Sequence, residues 1–245
     1  MATVEVDYVR YSAVAIPAID DRLQIDRRSV HMLDARPALR HMNLDTAGFT
    51  ILRSGLDGSM PAEHLASAAA ETVARYAGAD RCIVYAINLS GASEPWLFAN
   101  RPRLVHGGPT PGLARKLAGW SPTAAEDQNE QHCALLELSL PRAGHKALRM
   151  AWVHGQTIRR SDLQPVSIPQ DDGRGELVSA RFNSDHVWFQ LPQIAPDEAL
   201  LRKTWDTRTD GRARWSIACA LDQSGTELVQ MLLLARFDSP AGRRS

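Results

Sequence analysis

The chain has 245 residues, and its 28 basic and 28 acidic side chains give it no formal net charge at neutral pH. A balanced charge leaves no excess of cations to neutralise a phosphate backbone or an anionic bilayer, so we expect neither nucleic acid nor a membrane as a partner. A chain of this length can bury one core, and all-β barrels of this size are commonly one domain. We therefore predict a single domain over residues 1–245.

The three cysteines, Cys82, Cys133 and Cys219, are widely separated and odd in number. This usage argues against a disulfide framework and is typical of a reducing compartment. The first residues alternate charged and apolar side chains, unlike a secretory signal, which has a basic start and a long apolar run. No apolar run approaches the roughly 20 residues that cross a bilayer. These features predict a cytoplasmic protein.

The first predicted elements are short alternating segments that end at Pro, Gly or Asp, as strands and turns do. They cover residues 3–11, 29–36 and 48–55. Residues 60–78 then predict a helix, because Pro61 lies near its start, apolar side chains recur every three or four residues, and Gly78 ends it. We expect this N-terminal part, residues 1–80, to pack on a barrel.

The sequence after residue 80 predicts mostly strands. Residues 81–90 form a nearly continuous apolar run of the buried-strand type. Residues 123–138 are polar first and then apolar, which leaves open a loop before a strand or a short helix. Residues 195–206 predict a short helix, since Pro196 suits a first turn and the two acidic residues after it suit the positive end of the helix. Further strands are predicted at residues 147–158, 175–182, 185–192, 212–221 and 227–237, and a frayed tail at residues 240–245.

Several of these segments, taken in order, resemble one known family. Residues 31–55 contain a DxR run followed by LDxxGF, and residues 101–119 read RPRLVHGGPTPGLARKLAG. Together with residues 149–170 and 185–221, they are similar to non-haem Fe(II)/2-oxoglutarate oxygenases of the cephamycin hydroxylase and gibberellin desaturase-like branch. The resemblance implies a mainly β fold, a double-stranded β-helix (jelly roll, cupin-like) with a few flanking α-helices. This agrees with the many short predicted strands.

The resemblance also implies an iron site made of two histidines and one carboxylate, which this sequence retains only in part. His106 matches the first histidine, but Gly108 stands at the carboxylate position and Ala218 at the second histidine. Leu232 stands where family members carry an arginine for 2-oxoglutarate. Glycine and alanine have no donor atoms, so we predict no family-type iron site and no cofactor. We also expect the two small residues to widen the cavity.

A family fold without its metal ligands favours a metal-independent tailoring enzyme of secondary metabolism, acting on a small organic substrate as an isomerase, cyclase or lyase. His106 and His154 are the predicted catalytic residues, because imidazole titrates near neutral pH and a strand places His154 on the same side as Trp152. Arginine pairs with carboxylates and tryptophan lines barrel walls. The predicted substrate-binding residues are Arg101, Arg103, Trp152, Trp188 and Trp215.

Two alternatives stay open. One is a functional oxygenase that uses Fe(II) and 2-oxoglutarate through relocated ligands, with His106 and His154 joined by a carboxylate such as Asp162 or Asp185. The other is a non-catalytic binding protein or partner subunit, and the sequence equally leaves open a homo-oligomer or a separate partner protein. The simpler interpretation of His106 is a histidine that bonds a neighbouring backbone carbonyl.

Overall fold

The computed structural model describes residues 2–10, 24–91, 103–119, 132–141, 149–170, 173–191, 194–222 and 228–237. Within these residues the chain is mainly β, as predicted. Its elements in chain order are β1 (Ala2–Val9), β2 (Ile25–Asp34), a 3-10 helix (Arg36–His41), β3 (Phe49–Arg53), α1 (Ala62–Ala77), β4 (Arg81–Gly91), β5 (His106–Pro109), α2 (Pro111–Leu117), β6 (Cys133–Pro141), β7 (Arg149–Val153), two 3-10 turns (Gly155–Thr157 and Arg160–Asp162), β8 (Leu163–Gln170), β9 (Gly173–Ala180), β10 (Trp188–Leu191), β11 (Glu198–Asp206), β12 (Ile217–Asp222) and β13 (Leu228–Arg236).

The strands form two sheets. The large sheet has the order β1-β2-β10-β7-β12-β5-β9-β8, and the small sheet has the order β3-β11-β6-β13-β4. Strands far apart in sequence become neighbours, so that β12 lies between β7 and β5. This order joins the segment around residue 106 to the segment around residue 218, which the chain separates by more than one hundred residues.

Alternation of side chains along the strands gives each sheet two faces. Trp152 and Ala218 of the large sheet pack with Phe49 and Leu200 of the small sheet, so this core lies between the sheets. The neighbouring residue Val153 belongs instead to a separate core on the outer face of the large sheet. We call the faces that meet between the sheets the inner faces.

The predicted helix near residue 70 is confirmed as α1. Leu65, Ala69 and Val73 are buried at spacings of four, and they pack on the outer face of the small sheet. The helix ends at Gly78, whose φ of 67° lies in the left-handed region that glycine adopts without strain. No helix among the described residues is long and apolar enough to span a membrane.

The predicted helix at residues 195–206 is wrong, because residues Glu198–Asp206 form strand β11. All nine residues are buried, and β11 lies between β3 and β6 inside the small sheet. Leu200 faces the large sheet and Leu201 faces α1, so the strand is covered on both sides. Because both faces of this segment are buried in the small sheet, it forms a strand although its first residues favour a helix start.

The remaining segments include one that the sequence left undecided, two elements that it did not predict, and a tail outside the described residues. The undecided segment becomes a strand where it is described, since β6 begins at Cys133. Strand β8 and helix α2 were not predicted, and Thr110 caps α2 by accepting a bond from the Leu113 amide at 3.4 Å. The three cysteines are free thiols, as the prediction of no disulfide framework requires. The tail at residues 240–245 lies outside the described residues.

Candidate active site

Four side chains form a row across the inner face of the large sheet. The antiparallel register aligns His106 with Ala218, Ala218 with Trp152, and Trp152 with Phe189. Neighbouring strands lie about 4.8 Å apart, so Ala218 is placed directly between His106 and Trp152. We call these four residues the large-sheet row. The row shows that the two family ligand positions, 106 and 218, do meet in this fold.

A second row lies on the inner face of the small sheet. Its members are aligned by register across β13, β6, β11 and β3, and they are Leu232, Glu137, Arg202 and Phe49. We call them the small-sheet row. The two rows face each other, because the Phe49 ring stacks on Trp152 at 5.1 Å between centroids. The charge of Arg202 also acts on the His106 imidazole.

The paired rows are closed at one end and open at the other. At the Phe49 end, Phe49 and Trp152 are fully buried. At the other end, Glu137 and Leu232 keep partial exposure although they face inward. We call this part, with His106, Arg202, Glu137 and Leu232 around it, the open end. Among the described residues, it is the part of the inner faces that combines polar side chains with partial exposure.

A buried ion pair dominates the open end. Arg202 Nη2 donates to Glu137 Oε2 at 2.5 Å, and the two side chains are 3% and 12% exposed. The Ser139 hydroxyl donates to the other carboxylate oxygen of Glu137 at 3.5 Å. A buried charge requires such a partner, since leaving it alone costs several kcal/mol. Sequence reasoning missed this pair because it assigned Arg202 to a helix, although a basic residue inside the run ALLRKTW was a usable signal.

His106 is buried beside this pair. Its Nδ1 donates to the carbonyl oxygen of Gly107 at 3.2 Å, which supports the simpler interpretation in part. Burial and the positive charge of Arg202 lower the pKa of His106 to about 3, and the bond to Gly107 opposes them weakly. The imidazole is therefore neutral at physiological pH. A neutral imidazole accepts a hydrogen bond or binds a metal, but it has no imidazolium proton to donate.

The expectation that Gly108 and Ala218 widen the cavity is wrong. A Cβ atom at Gly108 would lie 2.4 Å from Thr204 Cβ and 2.5 Å from the Thr204 carbonyl oxygen. Ala218 is fully buried among the side chains of the inner core. Strand β11 and the core therefore occupy the space that a carboxylate and a second histidine would need.

The residues present do not fit an iron site of the family type. In the part of the chain that the structure describes, no three His, Cys, Asp or Glu side chains lie close enough to hold one metal ion. The proposed relocated carboxylates are engaged elsewhere: Asp162 bonds to His186 Nε2 at 3.2 Å, and Asp185 pairs with Arg159. His106 remains the one donor at the three family positions.

The other predicted catalytic residue, His154, directly follows strand β7 and is partly buried. Burial lowers its pKa, and its ring lies 6.1 Å from that of Phe189. It follows Trp152 by two residues, and its ring lies near Phe189 of the large-sheet row, on the side that the strand period predicted.

The predicted substrate-binding residues do not meet at one place. Trp152 belongs to the large-sheet row, but Trp188 packs in the outer core and donates its Nε1–H to the Tyr8 hydroxyl at 3.1 Å. Arg103 is exposed and lies 3.9 Å from Glu5. Trp215 lines a different cleft. Arg101 lies outside the described residues.

This chain is similar to several known proteins. A family model described as "Oxidoreductase/YMDC permease-like domain" matches residues 6–230. An "Alpha-ketoglutarate-dependent dioxygenase phiK" of a fungal species (strain ATCC 74256) is 24% identical over 230 residues, which cover 84% of this chain and 80% of that protein. A "Hydroxylase/desaturase efuI" of Hormonema carpetanum is 31% identical over 70 residues, about 24% of each chain.

Solved structures share the fold. Two structures of an "iron and alpha-ketoglutarate-dependent endoperoxidase NvfI" match 97% of this chain and 98% of theirs, at 20% identity, with TM-scores of 0.75 and 0.71. This likeness confirms the predicted jelly-roll fold.

These relatives correct one prediction and confirm another. The prediction of no cofactor is wrong, because the relatives depend by name on alpha-ketoglutarate (2-oxoglutarate), and the solved ones also on iron. Nothing in these matches supports a metal-free isomerase, cyclase or lyase, whereas an enzyme of oxygenase type agrees with all of them. The chain therefore belongs to the oxygenase-like family that the sequence segments indicated, as a member of the Oxidoreductase/YMDC permease-like domain family.

Proposed function

We propose that this chain is an enzyme of secondary metabolism that oxidises a small organic molecule at the open end of the two rows. Iron and 2-oxoglutarate are the cofactors to supply first, because the relatives named above depend on 2-oxoglutarate and the solved ones also on iron. The observation that carries the proposal is the pairing of His106 with Ala218, opposite Arg202. It supports the proposal because it brings together the positions that the resemblance assigns to two iron ligands.

The chain's own residues suggest how a substrate is held. Arg202 is held by its ion pair with Glu137, and a guanidinium has several N–H groups, so it can also donate to a carboxylate or carbonyl oxygen of a substrate. Neutral His106 offers a hydrogen bond beside it. Phe49 and Trp152 form the apolar wall at the closed end. This arrangement favours a substrate with an oxygen-rich end and a hydrocarbon body.

The described residues do not form the three-ligand iron site of the family. Gly108 is closed by Thr204, and Ala218 has no donor atom, so the described residues hold no iron by the family's three ligands. Turnover with iron and 2-oxoglutarate is therefore the direct test of an oxygenase.

The test supplies the purified chain with Fe(II), 2-oxoglutarate, air and a library of small organic molecules. Oxidation coupled to 2-oxoglutarate would release succinate, which mass spectrometry quantifies together with oxidised products. We expect succinate above the iron-free control, and we expect His106→Ala to abolish it. His64→Ala is the matched control, because His64 is exposed on α1 and away from both rows.

Absence of succinate with every compound, in a folded protein, would refute the oxygenase proposal. Equal activity in His106→Ala and wild type would instead show that the reaction takes place away from the open end.

A further inference from the structure

A separate cleft lies beyond the ends of β7 and β12. It has a volume of about 350 Å³, within the range of small-molecule sites. Its walls come from the turns after β7, from the loop before β12 and from the start of β8. The lining residues are Gly155, Gln156, Ile158, Arg160, Leu163, Thr209, Gly211, Arg212, Arg214 and Trp215. Neither row contributes to it.

The lining is strongly biased in charge. It contains three arginines and no acidic side chain. Arg212 is balanced by Asp210 at 2.7 Å and Asp45 at 3.0 Å, both outside the lining. Arg160, in contrast, is exposed and makes no ion pair with any described residue. A concave surface with one sign of charge concentrates ions of the opposite sign.

The Trp215 indole and the Arg214 guanidinium form part of one wall of the cleft. The Arg214 guanidinium lies 4.8 Å from the centre of the same ring, and its Nε donates to the Asp206 carbonyl at 3.0 Å. These contacts hold the Arg214 cation in place against an aromatic surface of the cleft.

Part of the wall is apolar. Ile158, Leu163 and Trp215 line the cleft and pack against the outer core. We propose that this cleft binds an organic anion, a carboxylate or phosphate joined to a small apolar or aromatic group. The arginines take the anionic end, and the apolar wall with the Trp215 ring takes the body. The site is distinct from the open end, so the inference does not depend on the proposed reaction.

The test follows the indole N–H signals by NMR during titration with benzoate, phenyl phosphate and benzamide. A Trp215→Phe variant assigns the Trp215 signal. We expect benzoate or phenyl phosphate to shift this signal, with dissociation constants on the order of 1 mM or lower. The stronger of the two identifies the preferred anion. Benzamide has the same ring without the charge and should bind at least about tenfold more weakly.

Substitutions of arginine test which positive charge contributes to anion binding in the cleft. Arg160→Gln should weaken benzoate binding about threefold, since a partly exposed pair contributes modestly. Arg208→Gln is the matched control, because Arg208 is exposed in the same loop but outside the lining, and it should bind as wild type does. Equal binding of benzamide and benzoate, no shift with either anion, or a shift of the Trp152 signal in place of Trp215 would overturn the proposal.

Discussion

Gly108 allows strands β5 and β11 to approach so closely that no side chain fits between them. A Cβ atom there would lie 2.4 Å from Thr204 Cβ and 2.5 Å from the Thr204 carbonyl oxygen. Both atoms belong to a buried central strand, so the strands must separate. Overpacking a core costs about 1–3 kcal/mol, and a required backbone shift places Gly108→Ala near the upper limit, at roughly 3 kcal/mol. For a chain of this size we expect a fall in Tm of roughly 6–12 °C.

Urea unfolding followed by circular dichroism measures this change. Gly112→Ala is the matched control, because a Cβ at Gly112 meets no atom within 4 Å and alanine favours the helix α2. We expect Gly112→Ala to be neutral or stabilising by up to about 1 kcal/mol. Should Gly108→Ala unfold within about 0.5 kcal/mol of wild type, the conclusion that β11 closes the carboxylate position would be refuted.

Three further predictions concern buried charges and thiols. Arg202→Met should destabilise the fold by about 3–5 kcal/mol, because Glu137 loses its partner, and Arg202→Met with Glu137→Leu should recover most of that loss in the same unfolding assay. Burial raises the pKa of Asp206, but bonds from His132 and Lys203 outweigh it and lower the pKa to about 2. Because the folded pKa lies below the unfolded one, Asp206 contributes about 2 kcal/mol above pH ~4 that is lost as the pH falls toward 2, and Asp206→Asn should flatten this part of the stability profile. Burial raises the pKa of Cys219 to about 12 and that of Cys82 to about 11, so iodoacetamide at pH 8 should label neither thiol in the native protein, and rapid labelling of Cys219 would contradict its burial.

Local sequence patterns predicted the helix and strands that bury a single face or form a continuous apolar run. Helix α1 carries its signals within sixteen residues, and its apolar spacing, start and terminal glycine all agree. Most strands also stand out, because they alternate or form apolar runs between turn residues. The juxtaposition of His106 and Ala218 followed from the family resemblance, and the register between β5 and β12 confirms it.

The open end was harder to predict because its parts are distant in sequence. Strand β11 is buried on both faces, so it lacks the alternation that marks a half-exposed strand, and its acidic start mimics a helix. Arg202 and Glu137 meet only through the pairing of β11 with β6. No sequence pattern indicates that Thr204 faces Gly108. Thr204 closes the space that the small residues Gly108 and Ala218 were expected to leave open.

The proposed function requires that 2-oxoglutarate binds at the open end. A crystal structure of the chain grown with 2-oxoglutarate tests this directly. We expect density at the open end, with a carboxylate oxygen of the ligand within hydrogen-bonding distance of Arg202 or His106. Density confined to the cleft at Arg160 and Trp215, with the open end filled by protein side chains, would contradict it.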